Sequence, residues 1–241
     1  MSKVSKIGII GGSGMEDLLL TEGFGEKMVK TEYGEVRVKE GEVGGKTVVF
    51  LNRHGKNYVP PSQINHRANI AALKSEGVED IIATAAVGSI NRKMHPGELV
   101  LLTDFIDFTR GRVETFSEQS FIDVSRPYSS FLIKKILNAA VKLRIKAYPG
   151  ATYVCTEGPR FETKAEIKMF GKLGADVVGM TNVPEVILAA EVGIPYAVIG
   201  VITNFAAGIN PKKVSAEEVV RVMKDRKESL SKLLELVIKS L

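Results

Sequence analysis

At 241 residues, with 44% hydrophobic and 25% charged residues, the chain has the length and make-up of one large α/β domain with a sizeable core. Its 33 basic and 28 acidic residues leave a net charge of +5, with no block of five like charges, so neither nucleic acid nor a membrane surface is indicated as a partner. The single cysteine, Cys155, excludes an internal disulfide and thiolate metal clusters.

The opening Met-Ser-Lys-Val-Ser-Lys runs straight into Ile-Gly-Ile-Ile, too short for a signal-peptide core. The longest apolar stretch, Val186 to Ile202, is broken by Glu191 and Pro195 and cannot span a bilayer. A cytoplasmic location is therefore expected. No His/Cys/Asp/Glu group has metal-ligand spacing, so no metal is expected.

In chain order, Lys6–Ile10 reads as a strand that ends in Gly11-Gly12-Ser13-Gly14. Glycines let a backbone approach an anion closely, and Ser13 can donate to a phosphate oxygen. A tight turn is the plainer reading. A dinucleotide fingerprint fails, because Asp17 stands where its third glycine belongs and no strand-end acid follows at the right distance. Thr47–Leu51 is the next strand and leads into Asn52-Arg53-His54-Gly55, where Arg53 and His54 suit an oxyanion clamp or a surface pair. A helix begins near Ser62, with His66 as an ordinary helix residue, and ends at Gly77. Asp80–Ala85 is a strand followed by small residues, Ala85 and Ala86 among them, whose backbone N–H groups can join an anion site. His95 is a turn residue before the strand Glu98–Ile106. Thr109–Arg126 is polar, lacks periodicity and reads as a long loop, a length usually functional or covered by a partner.

A helix begins near Pro127, then Thr152–Cys155 forms a strand with Cys155 as a small buried hydrophobe. In Glu157-Gly158-Pro159-Arg160-Phe161-Glu162-Thr163, Phe161 can stack on a planar ligand and Glu162 can accept from a ring N–H. Equally, Glu162 and Thr163 suit a helix start. Asp176–Gly179 is a strand, and Thr181 can cap the helix that begins near Pro184 while presenting its hydroxyl. Tyr196–Thr203 ends at Asn204, a buried amide that needs partners. From Ala216 a final helix carries the stripe Val219, Val222, Met223, Leu230, Leu233, Leu234 and Val237, so it packs on the body.

Strands alternating with helices predict a single-domain three-layer sandwich over residues 1–241, with a central mixed β-sheet flanked by helices. The singled-out segments all fall at strand ends, where open α/β sheets bind ligands. Together they make one pocket. Ser13, Arg53, His54 and Thr181 form an anion end, while Phe161, Glu162 and Asn204 form a flat end for a base.

As a set, Gly-Ile-Ile-Gly-Gly-Ser-Gly, Asn-Arg-His-Gly, Glu-Gly-Pro-Arg-Phe-Glu-Thr, Gly-Met-Thr-Asn-Val-Pro-Glu and Ile-Thr-Asn resemble the trimeric nucleoside phosphorylases. That family holds methylthioadenosine phosphorylases and 6-oxopurine nucleoside phosphorylases. The resemblance implies phosphate held by Ser13, Arg53, His54, Thr181 and the backbone at Ala85 and Ala86. It implies Met180 against ribose, Phe161, Glu162 and Asn204 toward the base, and Ala206 among the nucleoside-binding residues. It implies that Ala216 replaces a histidine that selects a 5′-hydroxyl. Arg53, His54 and Asn204 would carry the chemistry, and inorganic phosphate would be co-substrate with no other cofactor. The Thr109–Arg126 loop resembles a segment that reaches a neighbouring subunit, implying a homotrimer or a dimer of trimers.

Two departures from the methylthioadenosine branch stand out. Ala85 replaces a threonine, removing one hydroxyl from the anion end. Asn204 replaces an aspartate, which favours a 6-oxopurine: its N–H₂ suits a C6 carbonyl, and Glu162 suits a protonated N1. Inosine, guanosine or methylthioinosine is thus the expected substrate. The alternatives are a methylthioadenosine phosphorylase and, further off, a non-catalytic nucleoside sensor.

Overall fold

The computed structural model describes residues 6–15, 18, 23–117, 119 and 121–241; Asp17, on which the rejection of the dinucleotide fingerprint turned, lies outside them. The described residues form a nine-stranded sheet whose elements follow the expected alternation. They are β1 (Lys6–Gly11), β2 (Gly25–Thr31), β3 (Gly34–Val43), β4 (Lys46–Asn52), α1 (His66–Ser75), β5 (Val78–Ser89), β6 (Leu99–Phe108), α2 (Ser130–Lys142), β7 (Ala147–Thr156), α3 (Lys164–Lys172), β8 (Val177–Gly179), α4 (Glu185–Glu191), β9 (Tyr196–Phe205) and α5 (Ala216–Ser240). Strand order is β2-β3-β4-β1-β5-β8-β7-β6-β9, and β5 also pairs with β9. The sheet is mixed: β1 runs parallel to β4 and β5, whereas β3–β4, β5–β8 and β6–β9 are antiparallel.

β1 and β9 are buried almost throughout, as near-continuous apolar strands covered on both faces should be. The hairpin β2–β3 was not expected from the sequence. Its residues alternate, with Val36 and Val38 inward and Arg37 outward, and its high charge hides a two-residue period at the sheet's edge. The β5 strand runs on to Ser89, past the expected end at Ala85, so Ala86 sits within the strand and not in a loop after it.

Helix starts shift in two places. Pro61–Gln63 forms a 3-10 turn, and α1 begins only at His66, where the Asn65 side chain accepts from the Ala68 N–H. Its end at Gly77, φ +76°, is as expected. α2 starts at Ser130 behind the Ser129 cap. The N-cap of α4 is Pro184 without a side-chain bond, so Thr181 does not cap it; its hydroxyl keeps no helix duty. In α5, Met223, Leu230, Leu233, Leu234 and Val237 are buried as the stripe required. Thr109–Arg126 contains no helix or strand among the described residues. Among those residues, too, no helix is long and apolar enough to cross a membrane.

Candidate active site

Parallel pairing of β1 with β4 and β5 aligns Gly11 with Asn52 and Ile10 with Ala83, while β5 and β9 bring Gly88 beside Asn204. The loops leaving these strands therefore open on one side. There lies a cavity of about 340 Å³ lined by every residue the sequence singled out: Ser13, Arg53, His54, Ala85, Ala86, Phe161, Glu162, Met180, Thr181, Asn204, Ala206 and Ala216.

The anion end is organised by Arg53, whose backbone N–H donates to the Gly11 carbonyl at 3.0 Å and ties the two loops together. Its guanidinium is wholly buried and makes a forked pair with Glu185: Nε to Oε2 and Nη2 to Oε1, both 2.7 Å. Nη1 donates to the Thr84 carbonyl at 2.8 Å. A guanidinium has five N–H donors, so two remain for a bound anion. Burial pushes the Glu185 carboxyl upward, but the Arg53 charge and its bonds outweigh that and hold it at about 2. Tyr196 also donates to Glu185, at 2.5 Å. The Arg53–Glu185 pair is thus neutral, and a bound anion meets directed N–H dipoles in place of a bare positive charge.

Gly12 owes its identity to close packing. A Cβ there would stand 2.7 Å from the Thr84 carbonyl oxygen and 2.9 Å from Arg53 Nη1. The Gly12 N–H donates to Thr84 Oγ1 at 3.1 Å, so this glycine serves the arginine's seat and its N–H is not spare for the ligand. His54 Nδ1 donates to the Val59 carbonyl at 2.8 Å. In a neutral ring Nε2 is then an acceptor, lying 3.4 Å from Ser13 Oγ. Nε2 can accept the proton of a monoprotonated phosphate, and it donates only in the imidazolium form.

At the other end, Thr163 and Glu166 form a reciprocal capping box at the start of α3. Glu162 is released from helix capping and accepts from Thr156 Oγ1 at 2.6 Å. Burial raises its carboxyl above the ordinary range, against the Thr156 bond. Asn204 Oδ1 accepts from Thr203 Oγ1 at 2.8 Å, and its Nδ2 donates to the Phe205 carbonyl at 2.9 Å. One N–H and one lone pair of the amide stay available. Phe161 is a rim residue, 39% exposed. Beyond Ala216 the wall is apolar, with Val214, Val219 and Val220. Among the described residues no group of three His, Cys, Asp or Glu side chains could hold a metal ion.

A sequence profile of the phosphorylase superfamily matches residues 6–239. The chain belongs to the phosphorylase superfamily. This phosphorylase is 48% identical over 240 residues to the 6-oxopurine nucleoside phosphorylase of Pyrococcus furiosus, across 95% of this chain and 90% of that one. It is 43% identical over 236 residues to a probable S-methyl-5′-thioinosine phosphorylase of Methanopyrus kandleri, across 96% and 91%. The methylthioadenosine phosphorylase of Schistosoma mansoni, in complex with adenine, has a TM-score of 0.93 at 32% identity, across 97% and 91%.

Three contributors escaped the sequence reading. Glu185 closes the Gly-Met-Thr-Asn-Val-Pro-Glu motif, from which the sequence suggested a role for Met180 and Thr181 but none for Glu185, and nothing local tells that it meets Arg53. Arg112 sits in the aperiodic loop yet is nearly buried, donating to the carbonyls of Met180, Val183 and Glu157 at 2.8–2.9 Å. His66, read as an ordinary helix residue, is buried with Nδ1 3.8 Å from Glu185, beyond hydrogen-bond reach. Neither of its ring nitrogens has a hydrogen-bond partner among the described residues. His95 is the exposed turn residue expected. Cys155 is fully buried and its thiol is pushed up to about 11 by burial, which makes it inert.

Proposed function

We propose that the chain is a purine nucleoside phosphorylase that cleaves 6-oxopurine nucleosides with inorganic phosphate, giving free base and ribose 1-phosphate. One observation carries the reading: a single cavity joins a buried arginine clamp to a base end built from one carboxylate and one amide. Phosphate held by Ser13, Arg53, His54, Thr181 and the Ala85–Ala86 backbone lies beneath C1′. As the C1′–N9 bond loosens, its electron pair moves onto the purine and positive charge gathers on the ribose, where the anion stabilises it. A phosphate oxygen then bonds to C1′. Monoprotonated phosphate gives up its proton as it bonds to C1′, and the leaving base takes one up at N7, beside Asn204, so that the protons balance. Holding both reactants in line supplies much of the acceleration.

Glu162 accepts the N1–H of a 6-oxopurine, and the spare Asn204 N–H meets O6. Adenine offers a lone pair at N1 and would face the carboxylate unfavourably. An unmatched polar pair in a dry pocket costs roughly 1–3 kcal/mol, so two mismatches favour oxo over amino by about 10². The apolar wall at Ala216 and Val220 supports acceptance of a 5′-methylthio group, making methylthioinosine a substrate as well. Phosphate is the co-substrate and no metal or organic cofactor is required. The 241 residues act as one domain, in the cytoplasm, as a homotrimer or a dimer of trimers.

The test is turnover of inosine, guanosine, adenosine, methylthioadenosine and methylthioinosine, each with and without phosphate. Base release should vanish without phosphate and favour the 6-oxo compounds. Undiminished release without phosphate would sink phosphorolysis. Methylthioadenosine as best substrate would overturn only the base preference, and good turnover of inosine with rejection of methylthioinosine would refute the 5′ argument.

A further inference from the structure

We propose that Tyr58 is a positioning residue of the anion end, acting through Ser13. The inference rests on the phosphorylase reading above and adds a residue that the sequence did not suggest. Tyr58 lines the cavity. Its hydroxyl lies 2.5 Å from Ser13 Oγ, and its ring stacks on His54 with centroids 4.6 Å apart and planes 12° off parallel. One side chain therefore touches two members of the proposed phosphate set.

Core packing does not account for this placement, because Tyr58 is 51% exposed. Its φ of +50° lies in the left-handed region, uncommon and unfavourable for a side chain of this size. The turn is closed by Gly55 N–H to Asn52 O and Val59 N–H to His54 O, both 3.0 Å. Those bonds hold the tyrosine backbone in a conformation that a freely chosen loop residue would leave, and the result is a ring laid across His54 with its hydroxyl on Ser13.

The consequence follows from counting donors. A serine hydroxyl has one proton and two acceptor lone pairs. When the phenol donates to Ser13 Oγ, that proton must point elsewhere. The neighbouring His54 Nε2 is 3.4 Å away, a long contact that a phosphate oxygen can outcompete. Tyr58 thus fixes the serine rotor with its proton turned toward the anion, and this matters more here because Ala85 brings only a methyl group to the same end of the cavity.

The experiment is a double-mutant cycle of Y58F and S13A, read as separate KM values for phosphate and nucleoside at saturating co-substrate. Y58F keeps the ring and its stack and removes only the hydroxyl, on an exposed residue. Loss of one such bond should raise the phosphate KM about three- to tenfold, with nucleoside KM and kcat within about twofold. In the S13A background the same change should move phosphate KM by less than about twofold, since the coupling partner is gone. An unchanged phosphate KM in Y58F would overturn the proposal, as would a lower one, which would mark Tyr58 as an obstruction. An equal rise in both backgrounds would also overturn it, because Tyr58 would then act without Ser13. Phosphate dependence of the unmodified enzyme decides the phosphorylase reading separately, whatever Y58F does.

Discussion

Under the proposed reaction, Asn204 would set base preference through one atom pair without moving the backbone. Its carbonyl and amide are each half-used by Thr203 and Phe205, so the amide cannot rotate freely and presents one fixed N–H and one fixed lone pair. Asn204→Asp replaces that N–H with a second acceptor. A carboxylate also loses the bond to the Phe205 carbonyl, leaving two oxygens facing each other. We expect kcat/KM for inosine to fall by about 10–10² while that for adenosine or methylthioadenosine holds or rises. Paired efficiencies on inosine and adenosine check this, and an unchanged ratio would remove Asn204 from base selection. At the opposite end Arg53 shows the complementary logic. Its charge is cancelled by Glu185, so in the proposed reaction its hold on phosphate would be geometric and would depend on the two N–H groups left over.

Between elements, the notable contact is made by the segment without secondary structure. The Arg112 guanidinium reaches the carbonyls of Met180, Val183 and Glu157, and Phe116 and Ser117 N–H groups donate to the Glu191 carboxylate of α4. The loop thus clamps the β7–α3 and β8–α4 connections, which carry Phe161, Glu162, Met180 and Thr181. Arg112→Met should fill similar space but orphan those carbonyls. It should lower kcat/KM for nucleoside by about 10–10² through misplacement, with a smaller rise in phosphate KM because only Thr181 of that set adjoins the clamp. Steady-state kinetics with each substrate varied in turn would show it; two unchanged constants would mean the loop does not position the site. Sequence periodicity cannot reveal such a clamp, since its partners are backbone carbonyls some 45 to 71 positions away. The same limit explains Glu185, whose bond to Arg53 spans 132 positions. By contrast Arg53-His54, Glu162 and Asn204 were legible because each puts a polar side chain at the end of an apolar strand or in the turn after it, where core packing does not call for one, and Gly11–Gly14 because a glycine run at a strand end marks a close approach of backbones. The β2–β3 hairpin was missed because its outward residues are charged, and α1 was started too early because Pro60-Pro61 holds a 3-10 turn before it.

Over the whole molecule, the buried polar cluster behind the cavity ties stability to pH through His66 and Glu185. His66 is buried against Glu185 and Arg53. Burial lowers its tendency to protonate, and the facing Arg53 and Arg112 act the same way, with Glu185 opposing them. In the unfolded chain a histidine titrates near about 6.5. Below that pH the unfolded state takes up a proton that the native ring resists, so stability is fully present above about 6.5 and declines as pH falls. Glu185 behaves differently: its carboxyl is held at about 2, so its contribution is present above the unfolded value of 4.5 and is lost only as pH falls from there toward about 2. The two windows open at different pH: near about 6.5 for His66 and at 4.5 for Glu185. His66→Phe removes the titration and two ring nitrogens that have no hydrogen-bond partner among the described residues, and replacing unpaired buried polar atoms with apolar ones can be neutral or stabilising. The variant should match the unmodified protein near pH 7.5. It should then gain on it as pH falls below about 6.5, with a slope approaching about 1.4 kcal/mol per pH unit at most. Melting temperatures of both proteins between pH 7.5 and 5 give the comparison, and His54 and His95, common to both, cancel in the difference. A constant gap across that range would show that His66 titrates as readily in the fold as outside it, and that the acid response originates elsewhere in the molecule.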